Sequence, residues 1–184
     1  ANAWDHLPWG GHTKVNELAN RNWQIVLSIP DVTYFDFPYE ADPKEHGYYW
    51  ASRRTNTEKV FQFMPQNLPI HAEFWLDRQD QPYVSDDTVQ KDEEGKVIHQ
   101  PLEQGRSFLG IQGQLWGENV RTDTVAEYKI FPRVIALAER AWHKASWAVP
   151  YNYIGYKYSQ DSQVFSQELQ RERDHQWQLF ANAL

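Results

Sequence analysis

The sequence contains no cysteine, which excludes disulfides and thiolate metal sites. It has no apolar run near the roughly 18 residues that a membrane-spanning helix needs, so we expect no membrane span. Basic residues are too few for a nucleic-acid partner, because 18 Lys and Arg stand against 25 Asp and Glu and phosphate binding needs clustered positive charge. Asn-x-Ser/Thr acceptors are also absent, so nothing indicates N-glycosylation.

The chain begins with neither an initiator Met nor a signal-peptide pattern. Its 184 residues are enough for one domain with a sizeable core. We therefore expect this domain to be a piece of a longer chain.

Aromatic side chains are unusually abundant, and nine Trp, ten Tyr and nine Phe make up 15% of the chain. Trp and Tyr carry polar atoms that need hydrogen-bond partners, so a core takes up only part of such an excess. Carbohydrate sites use flat aromatic faces, because the C–H face of a pyranose stacks on a ring. The composition leaves two hypotheses open, an aromatic-rich core and a sugar-binding site.

Apolar runs of strand length alternate with helical patterns, which predicts a parallel α/β architecture. "WQIVLSIP" at residues 23–30 and "SFLGIQGQLW" at residues 107–116 are typical of strands buried on both faces, and "ANAW" is typical of a strand end. In such folds the functional side chains lie in loops after the carboxyl ends of the strands. A short helix capped by Thr13 is predicted through Asn20, and further helices are predicted at residues 57–63 and 161–184. The clearest helix is predicted from Asp123 or Thr124 through "IFPRVIALAERAW", with Pro132 in its first turns or at a kink.

Residues 76–106 are polar and acidic, and we predict that they form a surface excursion. Within them, "TVQKDEEGKVIHQ" predicts a hairpin with Gly95 at the turn. The "DEEGK" run lacks the alternating oxygen ligands of a calcium-binding loop, so we interpret it as a solvated turn.

Aromatic rings lie near three predicted strand ends, and at two of them a carboxylate accompanies the ring. Trp4 ends the opening strand, Tyr34 and Asp36 lie in "TYFDF", and Trp116 and Glu118 lie in "LWGE". In an extended segment, residues i and i+2 point to the same side, which places each of the last two rings beside its carboxylate. A ring for the C–H face and an acceptor for hydroxyl groups suit a sugar.

Four stretches carry a family resemblance: "AW" at residues 3–4, "TYFDFPYEADPKEHGYYW" at residues 33–50, "GQLWGE" at residues 113–118 and "FPRVIALAERAW" at residues 131–142. With these stretches in this order, the chain resembles the C-terminal part of the catalytic domain of bacterial β-N-acetylhexosaminidases, the chitobiase type of glycoside hydrolase family 20. The resemblance covers about three quarters of the chain.

The resemblance implies a (β/α)8 barrel with long loops at the carboxyl ends of its strands, of which residues 1–184 form the last part. It implies retaining hydrolysis in which the substrate's own acetamido group attacks the anomeric carbon, so no enzyme carboxylate is the nucleophile. In that family an adjacent Asp–Glu pair orients the acetamido group and supplies the general acid. Asp92–Glu93 is the only such dipeptide here and lies in the predicted hairpin, so we expect the acid pair outside this chain and no activity from the chain alone.

The resemblance also implies roles for individual residues. Tyr34 matches a tyrosine that hydrogen-bonds the acetamido oxygen and helps to stabilise the charged intermediate. Trp4 and Trp116 match tryptophans that wall the acetamido pocket and the terminal sugar. Asp36 and Glu118 match acceptors for hydroxyl groups at the non-reducing end.

Residues 37–50, "FPYEADPKEHGYYW", fit neither a helix nor a strand template. By resemblance, Trp50 at the end of this stretch lies under the next sugar. We interpret the stretch as a stiff arm that presents Trp50 beside the scissile bond, because its prolines lower the entropy lost in holding the ring still.

Several of these residues have simpler explanations. Asp36 could instead cap a helix or join an ion pair, and Glu118 could cap the helix that follows it. Trp142 is expected in the core. We interpret Arg133, Glu139 and Arg140 as an ion pair and a solvated face that hold the last helix in place. His6 and His12 lack a partner at zinc-like spacing, so we expect surface or structural roles and no metal.

The leading hypothesis is an enzyme that removes terminal N-acetylglucosamine from chitobiose or related β-glycans without a cofactor. The alternatives are a non-catalytic carbohydrate-binding module and an unrelated scaffold with an aromatic core. The expected partners are the amino-sugar substrate and the missing N-terminal part of the barrel, and open strand edges favour self-association of the isolated piece. The family resemblance alone implies a periplasmic or secreted protein.

Overall fold

The computed structural model describes residues 1–184, in which short strands alternate with helices. The strands are β1 (Asn2–Ala3), β2 (Val26–Leu27), β3 (Ser85–Asp86), β4 (Gln90–Lys91), β5 (Val97–His99), β6 (Gly110–Ile111) and β7 (Lys157–Tyr158). The helices are α1 (Gly11–Asn20), α2 (Pro30–Thr33), α3 (Thr57–Phe61), α4 (Asp123–Ile130), α5 (Arg133–Trp142) and α6 (Gln167–Ala183). None of these helices combines the length and the apolar character that crossing a membrane requires.

The centre of the fold is a parallel sheet with the strand order β1-β2-β6. Leu27 of β2 pairs with Ala3 on one side and with Ile111 on the other. Ile25, Leu27 and Ile29 are fully buried, as expected of a central parallel strand that is covered on both faces. The predicted parallel α/β arrangement is confirmed for these strands, whereas closure into an eight-stranded barrel remains a prediction.

Helix α1 begins at Gly11, earlier than a cap at Thr13 predicts, and ends at Asn20 as predicted. Its N-cap is Gly10, which has a φ of 80°, and not Thr13. A Cβ atom at Gly11 would lie 2.6 Å from the carbonyl oxygens of Asp5 and His6. The glycine pair therefore permits both the left-handed cap and the close approach of the preceding loop.

The long helix predicted from residue 123 is two helices, α4 and α5, which meet at Phe131 and Pro132. Pro132 has no N–H to donate to a helical hydrogen bond, so the helix is interrupted there and is not merely kinked. Thr122 caps α4 by accepting a hydrogen bond from the Val125 N–H. The prediction that Trp142 lies in the core is wrong, because its side chain at the end of α5 is 90% exposed.

Residues 76–106 contain the antiparallel hairpin β4–β5, whose turn includes Gly95 with a φ of 81°. The segment is not entirely superficial. Strand β3 pairs with β7 from the end of the chain, and the side chains of Asp87 and His99 are buried. Part of this polar sequence therefore lies inside the protein, although most of the hairpin is exposed.

Part of the aromatic excess forms a core beneath the sheet. Phe61 of α3 packs against Trp147 at 5.8 Å and against Phe180 of α6 at 5.0 Å between ring centroids. Trp147 is fully buried. The aromatic-core hypothesis is therefore correct for these rings, but not for the exposed tryptophans that follow the strands.

His71 sits without solvent contact in a 3₁₀ turn, Pro69–Glu73. Its Nε2 accepts a hydrogen bond from the Met64 N–H at 3.0 Å, and its Nδ1 lies 2.8 Å from the Leu68 carbonyl oxygen. These contacts require a neutral ring with its proton on Nδ1. Burial lowers the pKa of His71 from 6.5 to about 3.

We expect acid to destabilise the fold through His71. Because the folded-state pKa is depressed, the unfolded chain binds the extra proton first, so this stability is complete above pH 6.5 and is lost as the pH falls towards 3. The loss over that interval is on the order of 4 kcal/mol. Thermal unfolding between pH 7 and pH 4 should show a shallower pH dependence for His71→Gln, whose amide offers both an acceptor and a donor. Equal slopes for the two proteins would contradict the prediction.

Candidate active site

A cavity of about 360 Å³ opens at the carboxyl edge of the parallel sheet. All six side chains that the sequence singles out line it, namely Trp4, Tyr34, Asp36, Trp50, Trp116 and Glu118. Four further residues line it that the sequence reasoning missed: Asn2, Ser28, Tyr48 and Gln114. Asn2, Ser28 and Gln114 each lie within two residues of a lining side chain or a strand end, which is the pattern that could have identified them.

The sheet explains why distant parts of the chain meet here. Trp4 directly follows β1, and Ser28 directly follows β2. Beyond the strands, Tyr34 forms a parallel bridge with Gln114, so the chain after α2 runs beside the chain after β6. Because the strands are parallel, their carboxyl ends and the loops that follow lie at one edge.

Aromatic rings form the walls of the cavity. Tyr34 is buried, and its ring centroid lies 5.8 Å from that of Trp50 and 5.9 Å from that of Trp116, both edge-on. Trp4 and Trp116 are 65% and 46% exposed, so their rings remain available to a ligand. Burial raises the pKa of Tyr34, which keeps its hydroxyl protonated and able to donate.

Two carboxylates lie among these rings. Asp36 is buried, makes no ion pair, and its Oδ1 has no hydrogen-bond partner in the protein. Burial raises the pKa of Asp36, and the nearby Glu118 carboxylate adds to that increase. Glu118 lies in the 3₁₀ turn Gly117–Asn119 and does not cap α4, since Thr122 does. An unpaired buried carboxylate oxygen is costly, and a ligand hydroxyl would satisfy it.

The arm at residues 37–50 forms no helix or strand but follows a fixed path. Gly47 has a φ of 127°, and a Cβ atom there would lie 2.3 Å from the Asp36 carbonyl oxygen. The Lys129 ammonium donates to the carbonyl oxygens of Asp36 at 3.1 Å and Phe37 at 3.2 Å, and also to that of His46. Lys129 is fully buried, and this burial lowers its pKa to about 8.

Arg133 also holds the arm, at its first residue. Its guanidinium donates to the carbonyl oxygens of Phe37 at 3.0 Å, Thr55 at 2.9 Å and Phe35 at 2.5 Å. The side chain is fully buried and makes no ion pair, so its interpretation as part of a solvated, ion-paired face is wrong. The prolines are therefore not the only groups that restrain the arm. The buried side chains of Lys129 and Arg133 also hold its backbone carbonyl oxygens.

Arg140 and Glu139 do form an ion pair, at 3.1 Å, as predicted. Arg140 is buried nonetheless, with its guanidinium 4.6 Å from the Phe61 ring centroid and 5.1 Å from that of Trp147. This contact fastens α5 to the aromatic core and lies away from the cavity.

One buried cluster has the composition of a metal site. Potential ligand atoms of His12, Asp87 and His99 lie within 4.8 Å of one another. Asp87 already accepts hydrogen bonds from Asn16 at 2.9 Å and from Tyr151, and it lies 3.0 Å from the His99 Nε2. We interpret this cluster as a structural network that joins α1 to residues 76–106, in line with the structural role expected of His12.

Comparison with known proteins relates this geometry to a family. Residues 1–145 match the family model described as "Glycosyl hydrolase family 20, catalytic domain". The chain is 47% identical, over 92% of its length, to a β-hexosaminidase B of Pseudoalteromonas piscicida, and 40% identical, over its whole length, to an N,N'-diacetylchitobiase of Vibrio harveyi. It spans about a fifth of the length of these curated relatives, 20% and 19% respectively.

Solved structures show a similar fold. A Streptomyces plicatus N-acetyl-β-hexosaminidase in complex with Thio-NAglucal aligns with 79% of this chain and 23% of its own, with a TM-score of 0.54 and 22% identity. A family 20 β-N-acetylglucosaminidase aligns with 94% of this chain and 28% of its own, with a TM-score of 0.52 and 21% identity. At these identities the likeness concerns the fold alone.

Proposed function

The chain belongs to glycosyl hydrolase family 20, and on that premise we propose that it forms one side of the active site of a β-N-acetylhexosaminidase. The proposed substrates are chitobiose and related glycans with a terminal β-linked N-acetylglucosamine. The parallel sheet would be the last part of a (β/α)8 barrel, whose remaining strands would complete the cavity. The family match favours this enzyme over a non-catalytic binding module.

The observation that carries the proposal is the convergence of three aromatic rings and two carboxylates on one cavity. Trp4, Tyr34 and Trp116 come from three separate segments, and the space between them is about 360 Å³. That volume lies within the range of small-ligand sites, and the remaining strands of the barrel would close its open side. Asp36 and Glu118 offer acceptors for its hydroxyl groups.

In the proposed mechanism, the substrate supplies its own nucleophile. The acetamido oxygen attacks the anomeric carbon, the glycosidic bond breaks, and the leaving oxygen takes a proton from a general acid. Water then opens the cyclic oxazolinium intermediate with retention of configuration. Tyr34 would donate its hydroxyl proton in a hydrogen bond to the acetamido group and so favour the transition state.

The general acid would come from outside residues 1–184. The only Asp–Glu dipeptide, Asp92–Glu93, is exposed at the turn of the β4–β5 hairpin and does not line the cavity. The acids that line the cavity, Asp36 and Glu118, would accept hydrogen bonds from hydroxyl groups of the terminal sugar. The chain alone therefore has binding groups for the sugar and no proton donor for the leaving group.

We expect the complete protein that carries this sequence to release nitrophenol from a chromogenic β-N-acetylglucosaminide, and residues 1–184 alone to release none above a blank. The matching β-glucoside, which lacks the acetamido group, is the control and should not be cleaved. Sugar binding by the complete protein without turnover would support the binding-module alternative. Turnover by the isolated chain would contradict the absence of the acid from it.

A further inference from the structure

We propose that the cavity continues past Trp50 into an outer groove that binds the leaving-group side of chito-oligosaccharides longer than two sugars. This inference rests on the proposed function. The outer groove has a volume of about 690 Å³, and its lining includes Tyr49, Trp50, Arg53 and Arg78. Tyr48 and Trp50 line both this groove and the cavity of the candidate active site, so the two lie on either side of a shared wall.

A row of rings leads outwards from Trp50. The buried His6 ring links Trp50 to Trp9 from inside the protein, and its centroid lies 5.1 Å from that of Trp50 and 4.1 Å from that of Trp9. Trp9 is 60% exposed, although its position in the 3₁₀ turn Leu7–Trp9 is fixed by the buried Leu7 beside it. Single exposed aromatics are ordinary on protein surfaces, but a contiguous set beside a cavity indicates a ligand surface.

Two guanidinium groups hold these rings and supply donors. Arg78 lies 5.2 Å from the Trp9 ring centroid, and its NH1 donates to the Trp50 carbonyl oxygen at 3.4 Å. Arg53 lies 4.9 Å from the ring of the exposed Tyr49 and is paired with Asp80 at 3.9 Å. Rings for sugar faces, and donors and acceptors for hydroxyl and acetamido groups, therefore occur together.

The identity of the occupant follows from position and charge. Trp50 separates the outer groove from the cavity assigned to the terminal sugar, so whatever lies beyond Trp50 belongs to the part of the substrate that leaves. Arg53 is paired with Asp80, so Arg78 is the one unpaired charge that lines the groove, too little for an acidic glycan. A neutral chain of β-linked N-acetylglucosamine units fits both conditions.

The test compares substrate lengths in the complete protein. Trp9→Ala should lower kcat/KM for chitotetraose about fivefold to tenfold, the loss expected for one aromatic stacking contact. The same variant should leave chitobiose and the chromogenic monosaccharide within about twofold, because neither reaches beyond Trp50. Tyr49→Ala should show the same selectivity. Trp9 lines neither cavity itself, but it packs against Arg78, which lines the outer groove. Trp23→Ala is the matched control, since Trp23 is 57% exposed and no ring or guanidinium group of a lining residue packs against it.

The outcomes separate the two proposals. Wild-type turnover of all three substrates, with a chitotetraose-to-chitobiose ratio that Trp9→Ala leaves unchanged, would overturn the outer groove and keep the proposed function. An equal loss on all three substrates would also overturn it, because Trp9 would then act only through the fold. No wild-type turnover of the chromogenic substrate would reject the proposed function itself.

Discussion

Replacing Tyr34 with phenylalanine should lower kcat of the complete enzyme about 100-fold or more while KM changes by less than about threefold. The hydroxyl donor would act on charge that develops on the acetamido group during attack, and this charge is largest in the transition state. An interaction that strengthens only there affects turnover more than ground-state binding.

The geometry of Tyr34 explains why a single hydroxyl should matter so much. Its ring is buried between Trp50 and Trp116, so the substitution removes one oxygen atom without allowing the ring to move. Burial also raises the pKa of Tyr34, so the hydroxyl remains a donor throughout the neutral range. A donor that is already in place requires no reorganisation during the reaction.

Steady-state kinetics on the chromogenic β-N-acetylglucosaminide would measure the effect. Tyr48→Phe is the matched control, because Tyr48 lines the same cavity but is 53% exposed. We expect this control to retain kcat within about threefold. A Tyr34→Phe enzyme with an unchanged kcat and a higher KM would show that Tyr34 merely binds the sugar.

The convergence of the candidate site could be anticipated from the sequence because it depends on local rules. In extended backbone, residues two positions apart point to the same side, which puts Tyr34 beside Asp36. The loops that follow parallel strands lie at one edge of the sheet. The strand positions themselves follow from apolar runs such as residues 23–30. The structure places Trp4 and Trp116 at the same cavity for these reasons.

The buried cations could not be anticipated in this way. Arg133 lies in an apolar helical pattern, where a charged residue usually faces solvent. Its partners are carbonyl oxygens of Phe35, Phe37 and Thr55, which are between 78 and 98 residues away along the chain. Every residue has a backbone carbonyl, so the sequence does not show which carbonyl oxygens will accept hydrogen bonds from a buried side chain.

The exposure of Trp142 and the partners of His12 could not be anticipated for a related reason. Helical spacing assigns Trp142 to the apolar face, yet spacing does not reveal where a helix end passes beyond its packing partners. His12 meets Asp87 and His99 only because β3 and the β4–β5 hairpin fold back over α1. Both outcomes depend on tertiary contacts between distant segments.

Replacing Arg133 with methionine should destabilise the protein by roughly 3–5 kcal/mol and reduce activity as well. The change removes a buried fork of donors and leaves the carbonyl oxygens of Phe35, Phe37 and Thr55 without it. Each buried acceptor that loses its partner carries a desolvation penalty of about 1–3 kcal/mol. Lys129 continues to contact Phe37, so part of the penalty is offset.

Thermal unfolding and kinetics together would separate stability from positioning. Arg133→Lys keeps the charge but replaces the rigid planar fork with one flexible ammonium, so it should recover part of the stability and less of kcat. Arg121→Met is the control, because Arg121 is exposed and should change neither property by much. If Arg133→Lys restored the full wild-type kcat, the fork geometry would not be needed to position the arm.

The activity loss follows from what Arg133 holds in place. The carbonyls of Phe35 and Phe37 flank Asp36 and lie just beyond Tyr34, so the guanidinium fixes the backbone that presents both side chains. A displacement of about 1 Å in such groups is enough to lower turnover about 100-fold. The buried cations beneath the arm therefore act on catalysis through the position of Tyr34 and Asp36, although neither cation lines the cavity.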